Sequence, residues 1–248
     1  MLTHERREQI LGLLNKNGTV SVTELAIMFE TSESTIRRDL AALSDLGKLN
    51  KVYGGATALS EEFGKTEDRM EAKTLKNVDE KMKIAQYAVS LINDDDSVFI
   101  DAGSTTYLMT TIIDNCRASF VTNGIAHAKE LAARGCRVFV LGGELKESTG
   151  AIKGLMASEN LQSYNFSKAF IGANGVSVKQ GFTTPDPDEA MLKAAAIKRS
   201  FVSYVLCDRT KFNKVFAVSF GKLDAAAIVT DRCEDEMILE NALVKEVN

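Results

Sequence analysis

No run of apolar residues in this chain is long enough to cross a membrane, and its N-terminus lacks the apolar stretch of a secretory signal. A cytoplasmic protein is the expectation. Cysteine is scarce, and Cys116, Cys136, Cys207 and Cys233 show no CxxC spacing and no nearby histidine pair. Three of them sit in or beside apolar runs, so buried reduced thiols are expected and a zinc site is not. Histidine is scarcer still: His4 and His127 have no neighbours that would make either a catalyst, and His127, among Ile125, Ala126 and Leu131, reads as a surface or packing residue. A basic excess is also missing, because the net charge is −4. Residues 1–56 carry seven basic and seven acidic side chains. Any contact with a polyanion must therefore depend on where the charges sit rather than on their number.

What is present begins with helix punctuation. Ser21-Val22-Thr23-Glu24 is a capping box opening a short apolar segment of Val22, Leu25, Ala26 and Phe29. A second polar start, Thr31-Ser32-Glu33-Ser34, follows after a short turn. Ile36, Leu40 and Leu43 then fall at i, i+4 and i+7, one buried helix face. Ser34, Arg37, Arg38 and Ala41 lie on other faces, with Arg37 the most directly opposed to the core. Gly47 fits the glycine that ends such a helix. The next stretch, Lys48 to Ala56, alternates polar and apolar residues and carries paired glycines, as a short β-ribbon does. Two helices joined by a tight turn, the second presenting Ser, Thr and Arg and followed by a basic ribbon, form the plan of a winged helix-turn-helix. The helix would read base edges while the ribbon lysines reach phosphates.

Arg6-Arg7-x-x-Ile10-Leu11, Leu25-Ala26-x-x-Phe29, Ser34-Thr35-Ile36-Arg37-Arg38-Asp39-Leu40 and Val52-Tyr53-Gly54-Gly55-Ala56 resemble the winged helix of the DeoR family of bacterial transcriptional repressors. Lys51 departs from the arginine frequent in that wing, keeping the charge and losing the fork. The resemblance implies contact with double-stranded operator DNA. Arg37 and Arg38 are divided between base edges and phosphates, and Ser32, Ser34, Thr35, Lys48, Lys51 and Tyr53 position the module on the backbone. A dimer or tetramer is expected, since a homo-oligomer multiplies the phosphate contacts.

From about Thr57 to residue 77 the chain turns charged and polar and reads as a solvated hinge or exposed helix linking residues 1–56 to a second domain at 78–248. There, apolar strands alternate with helices. Val98-Phe99-Ile100, Ser119 to Thr122, Val138 to Leu141, Ala169-Phe170-Ile171 and Val202 to Leu206 each lead into a Gly- or Asp-bearing loop, and Ala227-Ile228-Val229 is a further candidate. This predicts an α/β domain with a mainly parallel sheet covered on both faces, binding ligands at the carboxyl ends of its strands. Gly103-Ser104-Thr105-Thr106 offers small residues, hydroxyls and backbone amides suited to an anion. Asn123-Gly124, Gly142-Gly143-Glu144, Gly172-Ala173-Asn174-Gly175 and Asp208-x-x-Lys211 gather on the same edge and make a small-molecule pocket the natural reading.

These loops, with Gly181-Phe182-Thr183-Thr184, resemble the C-terminal sensor domain of the same family, similar in fold to phosphosugar isomerases such as ribose-5-phosphate isomerase. By that resemblance Gly103, Ser104, Thr105, Thr106 and Lys211 hold phosphate. Asp101, Asn123, Glu144, Asn174 and Asp208 face sugar hydroxyls, with Gly143 among them. The isomerases carry acidic residues where this chain has Ala173-Asn174-Gly175, and an amide takes no proton at neutral pH, so binding without turnover is expected. Glu189 reads as a helix-start acid favoured by the dipole rather than as a base. No metal or cofactor is implied. The expected function is a repressor of sugar-metabolism genes released from its operator by a phosphorylated sugar, with fructose 1-phosphate the first candidate. The alternatives are a phosphosugar isomerase with an appended DNA-binding module and a regulator sensing a nucleoside-derived or other non-sugar anion.

Overall fold

The computed structural model describes residues 2–46, 48–58, 62–64, 68–114 and 116–247. Gly47, expected to end the recognition helix, lies outside them, as do Glu61, Lys65 and Glu67 of the charged stretch. The chain forms two compact units, Met1–Glu61 and Glu62–Asn248.

The first unit comprises α1 (Thr3–Asn17), β1 (Thr19–Ser21), α2 (Val22–Met28), α3 (Glu33–Asp45), β2 (Asn50–Val52) and β3 (Gly55–Thr57). The expected caps form: the Ser21 hydroxyl accepts from the Glu24 amide at 3.1 Å, and the Ser32 hydroxyl from the Thr35 amide at 3.2 Å. Ile36, Leu40 and Leu43 meet Ile10, Leu14 and Leu25 in one core, with Ala26 and Phe29 packed at its margin. The strands form an antiparallel sheet in the order β1-β3-β2, so the ribbon is a hairpin anchored to the strand before α2. Gly54 turns it at φ +82°, and a Cβ on Gly55 would lie 2.0 Å from the Val20 carbonyl oxygen, so β3 reaches β1 only as glycine.

The second unit opens with β4 (Glu62–Phe63), α4 (Met70–Thr74) and α5 (Val78–Ser90). It continues through β5 (Ser97–Ile100), α6 (Ser104–Thr110), β6 (Ser119–Thr122), α7 (Ile125–Ala133) and β7 (Arg137–Val140) to the hairpin β8 (Glu144–Lys146) and β9 (Ala151–Lys153). After α8 (Leu155–Gln162) come β10 (Phe166–Gly172), β11 (Gly175–Ser177), β12 (Gly181–Thr184) and α9 (Pro187–Lys198). The unit ends with β13 (Ser200–Leu206), β14 (Lys214–Val215), β15 (Val218–Gly221), β16 (Ala227–Thr230), α10 (Glu236–Asn241) and β17 (Val244–Glu246).

Seven of these strands form one sheet in the order β17-β16-β13-β10-β5-β6-β7, every neighbouring pair parallel. Successive residues point to opposite faces. Phe99, Ala169, Ile171 and Val205 pack with Ala157, Leu161, Ala190 and Leu192 of α8 and α9. Val98, Ile100, Phe170 and Leu206 pack with Ile84, Ala88, Leu108 and Met109 of α5 and α6. From β5 the chain winds outward through β6 and β7, then returns to β10 on the other side. The strand order thus reverses between β5 and β10, the switch point at whose carboxyl ends open α/β sheets place their ligand crevice. The hairpin β8–β9, the small sheet β11-β12-β15 and the edge strand β17 are not evident from the apolar pattern.

Candidate functional site

In the first unit, the hydroxyls of Ser34 and Thr35 lie 2.8 and 2.9 Å from that of Ser32, forming a small cluster at the start of α3. Arg37 is exposed and pairs with Glu33 at 2.8 Å, one turn earlier, and Glu33 also accepts from the Thr23 hydroxyl of α2. Arg38 is exposed beside it. The next residue behaves oppositely. Asp39 is 2% exposed and its two oxygens accept from Arg6 Nε at 2.7 Å and Arg7 Nε at 2.9 Å. Two of the seven basic residues of this unit therefore tie α1 to α3. Sequence reasoning missed this clamp, yet Asp39 stands at i+3 from Ile36, on the core face, where an acid needs a partner. On the hairpin against which α3 packs, Lys51 and Tyr53 are exposed and Lys48 is half-buried.

In the second unit the switch-point crevice is built from charged groups held inside. Asp101, 2% exposed at the end of β5, accepts through Oδ2 from the Gly172 amide of β10 at 2.9 Å and from the ammonium of Lys193 on α9. Lys193 is itself buried, above the Phe220 ring. Asn123 joins the next loops: its Oδ1 accepts from the Ala102 amide at 2.9 Å and its Nδ2 donates to the Ile152 carbonyl. Thr106 is turned inward, its hydroxyl donating to the Asp101 carbonyl at 2.6 Å and accepting from the Gly103 amide at 2.9 Å. His127 proves to be a packing residue. Burial lowers its pKa to about 4, and Nε2 lies 3.0 Å from the Gly103 carbonyl, which places the proton of the neutral ring on Nε2. Ser104 and Thr105 occupy the first turn of α6, where backbone amides have no partner within the helix.

Asn174 lies across the crevice, its Oδ1 accepting from the Thr184 hydroxyl at 3.0 Å. Gly143 and Glu144 are exposed where β8 begins, Gly143 resting against β9 so closely that a Cβ would lie 2.6 Å from the Lys153 carbonyl oxygen. Asp208, at the end of β13, is 1% exposed. Its Oδ1 accepts from Asn77 Nδ2 at 3.1 Å and from the amide and hydroxyl of Thr210, while Oδ2 is buried with no hydrogen-bond partner among the described residues. Burial pushes the Asp208 carboxyl up, but the Thr210 hydroxyl and Lys211 outweigh it and hold its pKa below the usual value. Lys211, half-buried, is lowered by burial. Glu189 is buried, accepting from Lys146 at 2.9 Å, with the Thr149 hydroxyl 3.5 Å away. Asp186 caps α9 and pairs with both Lys146 and Lys153. Lys193, Lys146 and Lys153 carry no local sequence signal for these roles.

The family model for the DeoR-like helix-turn-helix domain matches residues 6–62, and that for the DeoR C-terminal sensor domain matches residues 76–232. The chain belongs to the DeoR family. The uncharacterized HTH-type transcriptional regulator FruR of Bacillus subtilis is 41% identical over 248 residues, covering 100% of this chain and 98% of its own length. The lactose phosphotransferase system repressor of Staphylococcus aureus is 35% identical over 243 residues, 97% of this chain and 96% of its own. Among solved structures, ribose 5-phosphate isomerase A of Methanocaldococcus jannaschii is similar over 55% of each chain at 18% identity and a TM-score of 0.42, too distant a likeness to bear on chemistry. In this DeoR-family chain no helix among the described residues is long and apolar enough to cross a membrane.

Proposed function

We propose that this protein is a cytoplasmic homo-oligomeric repressor that holds operators of sugar-metabolism genes through residues 1–56 and releases them when a phosphorylated sugar enters the switch-point crevice. Arg37 and Arg38 contact the duplex from the exposed side of α3, with Ser32, Ser34, Thr35, Lys48, Lys51 and Tyr53 on the backbone. Ser104, Thr105 and Lys211 hold the phosphate, and Asp208, Asn174 and Glu144 face hydroxyls. Asp101, Asn123, Gly103 and Thr106 keep the loops in place. One observation carries the reading: polar loops from several strands meet where the sheet order reverses, in a chain whose separate N-terminal unit exposes paired arginines on a capped helix.

Binding without turnover follows from the carboxylates. Asp101 is neutralised by Lys193 and Glu189 by Lys146, and an amide occupies position 174, where the isomerases carry an acid. The name of the 41% identical relative keeps fructose 1-phosphate as the first candidate. Release requires that the sugar bind the DNA-free arrangement better, and a coupling of about 1–3 kcal/mol changes operator affinity roughly 5- to 150-fold. Arg38→Ala should weaken operator binding in a gel shift and leave sugar-phosphate binding intact. Lys211→Ala should abolish induction in a reporter strain while operator binding persists. Unchanged gel-shift affinity, normal induction, or turnover of ribose 5-phosphate would each contradict the corresponding assignment.

A further inference from the structure

The two neighbouring arginines of α3 are not placed alike. At about 100° per residue, Ile36, Asp39, Leu40 and Leu43 fall on one buried face of the helix, and Ser34, Arg38 and Ala41 form the ridge opposite it. Arg38 is therefore most directly opposed to the core, rather than Arg37, which was expected there from the sequence. Arg37 and Glu33 lie one stripe to the side, a single turn apart. There Arg37 Nη2 donates to Glu33 Oε2 at 2.8 Å, and the Thr23 hydroxyl of α2 donates to Glu33 Oε1 at 3.0 Å. Both carboxylate oxygens thus tie Arg37 to the flank that faces α2. On the other flank, Asp39 takes Arg6 and Arg7 of α1. Arg38 makes no hydrogen bond or ion pair among the described residues.

By charge alone Glu33 stands in an unfavourable place. It sits at the start of α3 among hydroxyls assigned to the DNA backbone, where helix amides attract a phosphate and a carboxylate repels one. A plain helix-start acid would stabilise α3 without touching another helix. This one reaches across to α2 and forward along α3, and its effect is to fix a guanidinium that would otherwise sweep over the surface. A helix lying in the major groove turns its outermost ridge to the base edges and its flanks to the phosphates, and the helix before it crosses the backbone. The flank beside α2 is then a phosphate position and the ridge a base position. On that ridge Ser34 shares its hydroxyl with Ser32, and Ala41 has no polar side-chain atom. Arg38 is left as the long donor, and a guanidinium forks onto O6 and N7 of guanine.

We propose that Arg38 is the residue through which α3 reads its operator, forking onto a guanine in the major groove, and that Glu33 and Thr23 are positioning residues that hold Arg37 beside α2 for a phosphate. The proposal rests on the reading of residues 1–56 as the operator-binding unit. It adds a division of work: one arginine supplies sequence discrimination, and its neighbour supplies grip on any duplex.

Binding of the full chain to a promoter fragment, to a scrambled duplex and to fragments with single G·C pairs replaced, each at several salt concentrations, tests this. Arg38→Ala should lower the ratio of promoter to scrambled affinity by roughly 5- to 150-fold and become indifferent to replacement of one G·C pair. Arg38→Lys should keep the parent's salt slope and still lose that discrimination, and it carries the test if the alanine variant melts early. Arg37→Ala should weaken binding to both duplexes by a similar factor, holding the ratio within about twofold. It should also lower the slope of log affinity against log salt by about one for each operator site contacted. Glu33→Gln should change operator affinity by factors that differ at least about threefold between the parent and the Arg37→Ala background. A ratio that falls with Arg37→Ala, or that keeps the parent's value in Arg38→Ala and Arg38→Lys, overturns the division of work and leaves the operator-binding reading standing. Equal effects of Glu33→Gln in the two backgrounds overturn the part given to Glu33. A parent that binds the promoter fragment no better than the scrambled duplex overturns the operator-binding reading itself.

Discussion

The two units use charge in opposite ways. In the first, the arginines assigned to recognition stand in water, and among the described residues the one buried acid, Asp39, locks α1 onto α3. In the second, charged groups are drawn inside at the carboxyl edge of the sheet: Asp101 with Lys193, Glu189 with Lys146, and Asp208 near Lys81 and Lys211. A duplex arrives with its own dense charge and needs an accessible cationic surface. A small metabolite must be desolvated, and its recognition depends on groups held in place before it arrives. The contrast separates a surface fixed by local caps from a crevice fixed by contacts between distant parts of the chain.

The strongest way to break this contrast is to unpair a buried charge in the second unit. Lys193→Met leaves Asp101 buried without its cation and should cost about 3–5 kcal/mol. Urea denaturation should show the second unit's transition moved to lower denaturant, with that of the first unit in place. The matching change in the first unit is Asp39→Ala, which strands Arg6 and Arg7. Its expected cost is about 3 kcal/mol, toward the lower end because Arg7 is one-third exposed. Operator binding should fall with the stability of this unit although Asp39 touches no DNA. If both variants melt like the parent, buried pairing does not distinguish the units.

Acid should act on one unit more than the other. His127 has a folded pKa of about 4 against an ordinary value near 6.5, so the unfolded chain binds the proton more tightly. Stability is then full above about pH 6.5 and declines as pH falls toward 4, by up to roughly 3 kcal/mol. His127→Gln should flatten that dependence in thermal melts of the second unit. An equally steep decline in the variant would remove His127 as its source. The smallest effect sharpens the surface side of the comparison: Lys51→Ala should lower the slope of log affinity against log salt by about one for each operator site contacted, with little change in stability.

Legibility in the sequence followed the same division. The caps at Ser21 and Ser32 and the Ile36-Leu40-Leu43 face are set by neighbours within one or two helical turns, so spacing reveals them. The six apolar strands were evident for a similar reason: a strand buried on both faces is continuously apolar, as β5, β6 and β16 nearly are, and the edge strand β7, though largely exposed, keeps an apolar run. Glu144, Ala151 and Val176 belong to short strands paired antiparallel outside the main sheet, and their runs are too brief and too mixed to carry a period. The loops of the crevice were legible because each follows an apolar strand, but the groups that pair inside it were not. Lys193 lies 92 residues from Asp101, and Asn77 lies 131 from Asp208. Nothing local marks Lys193 or Asn77 as a partner. The charged stretch before residue 78 looked solvated because its side chains are polar, whereas its backbone amides, which composition does not report, attach it to β14 and Ser148.

The most direct measurement of the whole account is fluorescence anisotropy of a labelled fragment from the protein's own promoter, against a scrambled duplex of equal length, with and without fructose 1-phosphate and related sugar phosphates. The account requires tighter binding to the promoter fragment and a loss of that binding, in the range of roughly 5- to 150-fold, when the right sugar phosphate is added. Equal affinity for both duplexes, unmoved by any of these ligands, would contradict it.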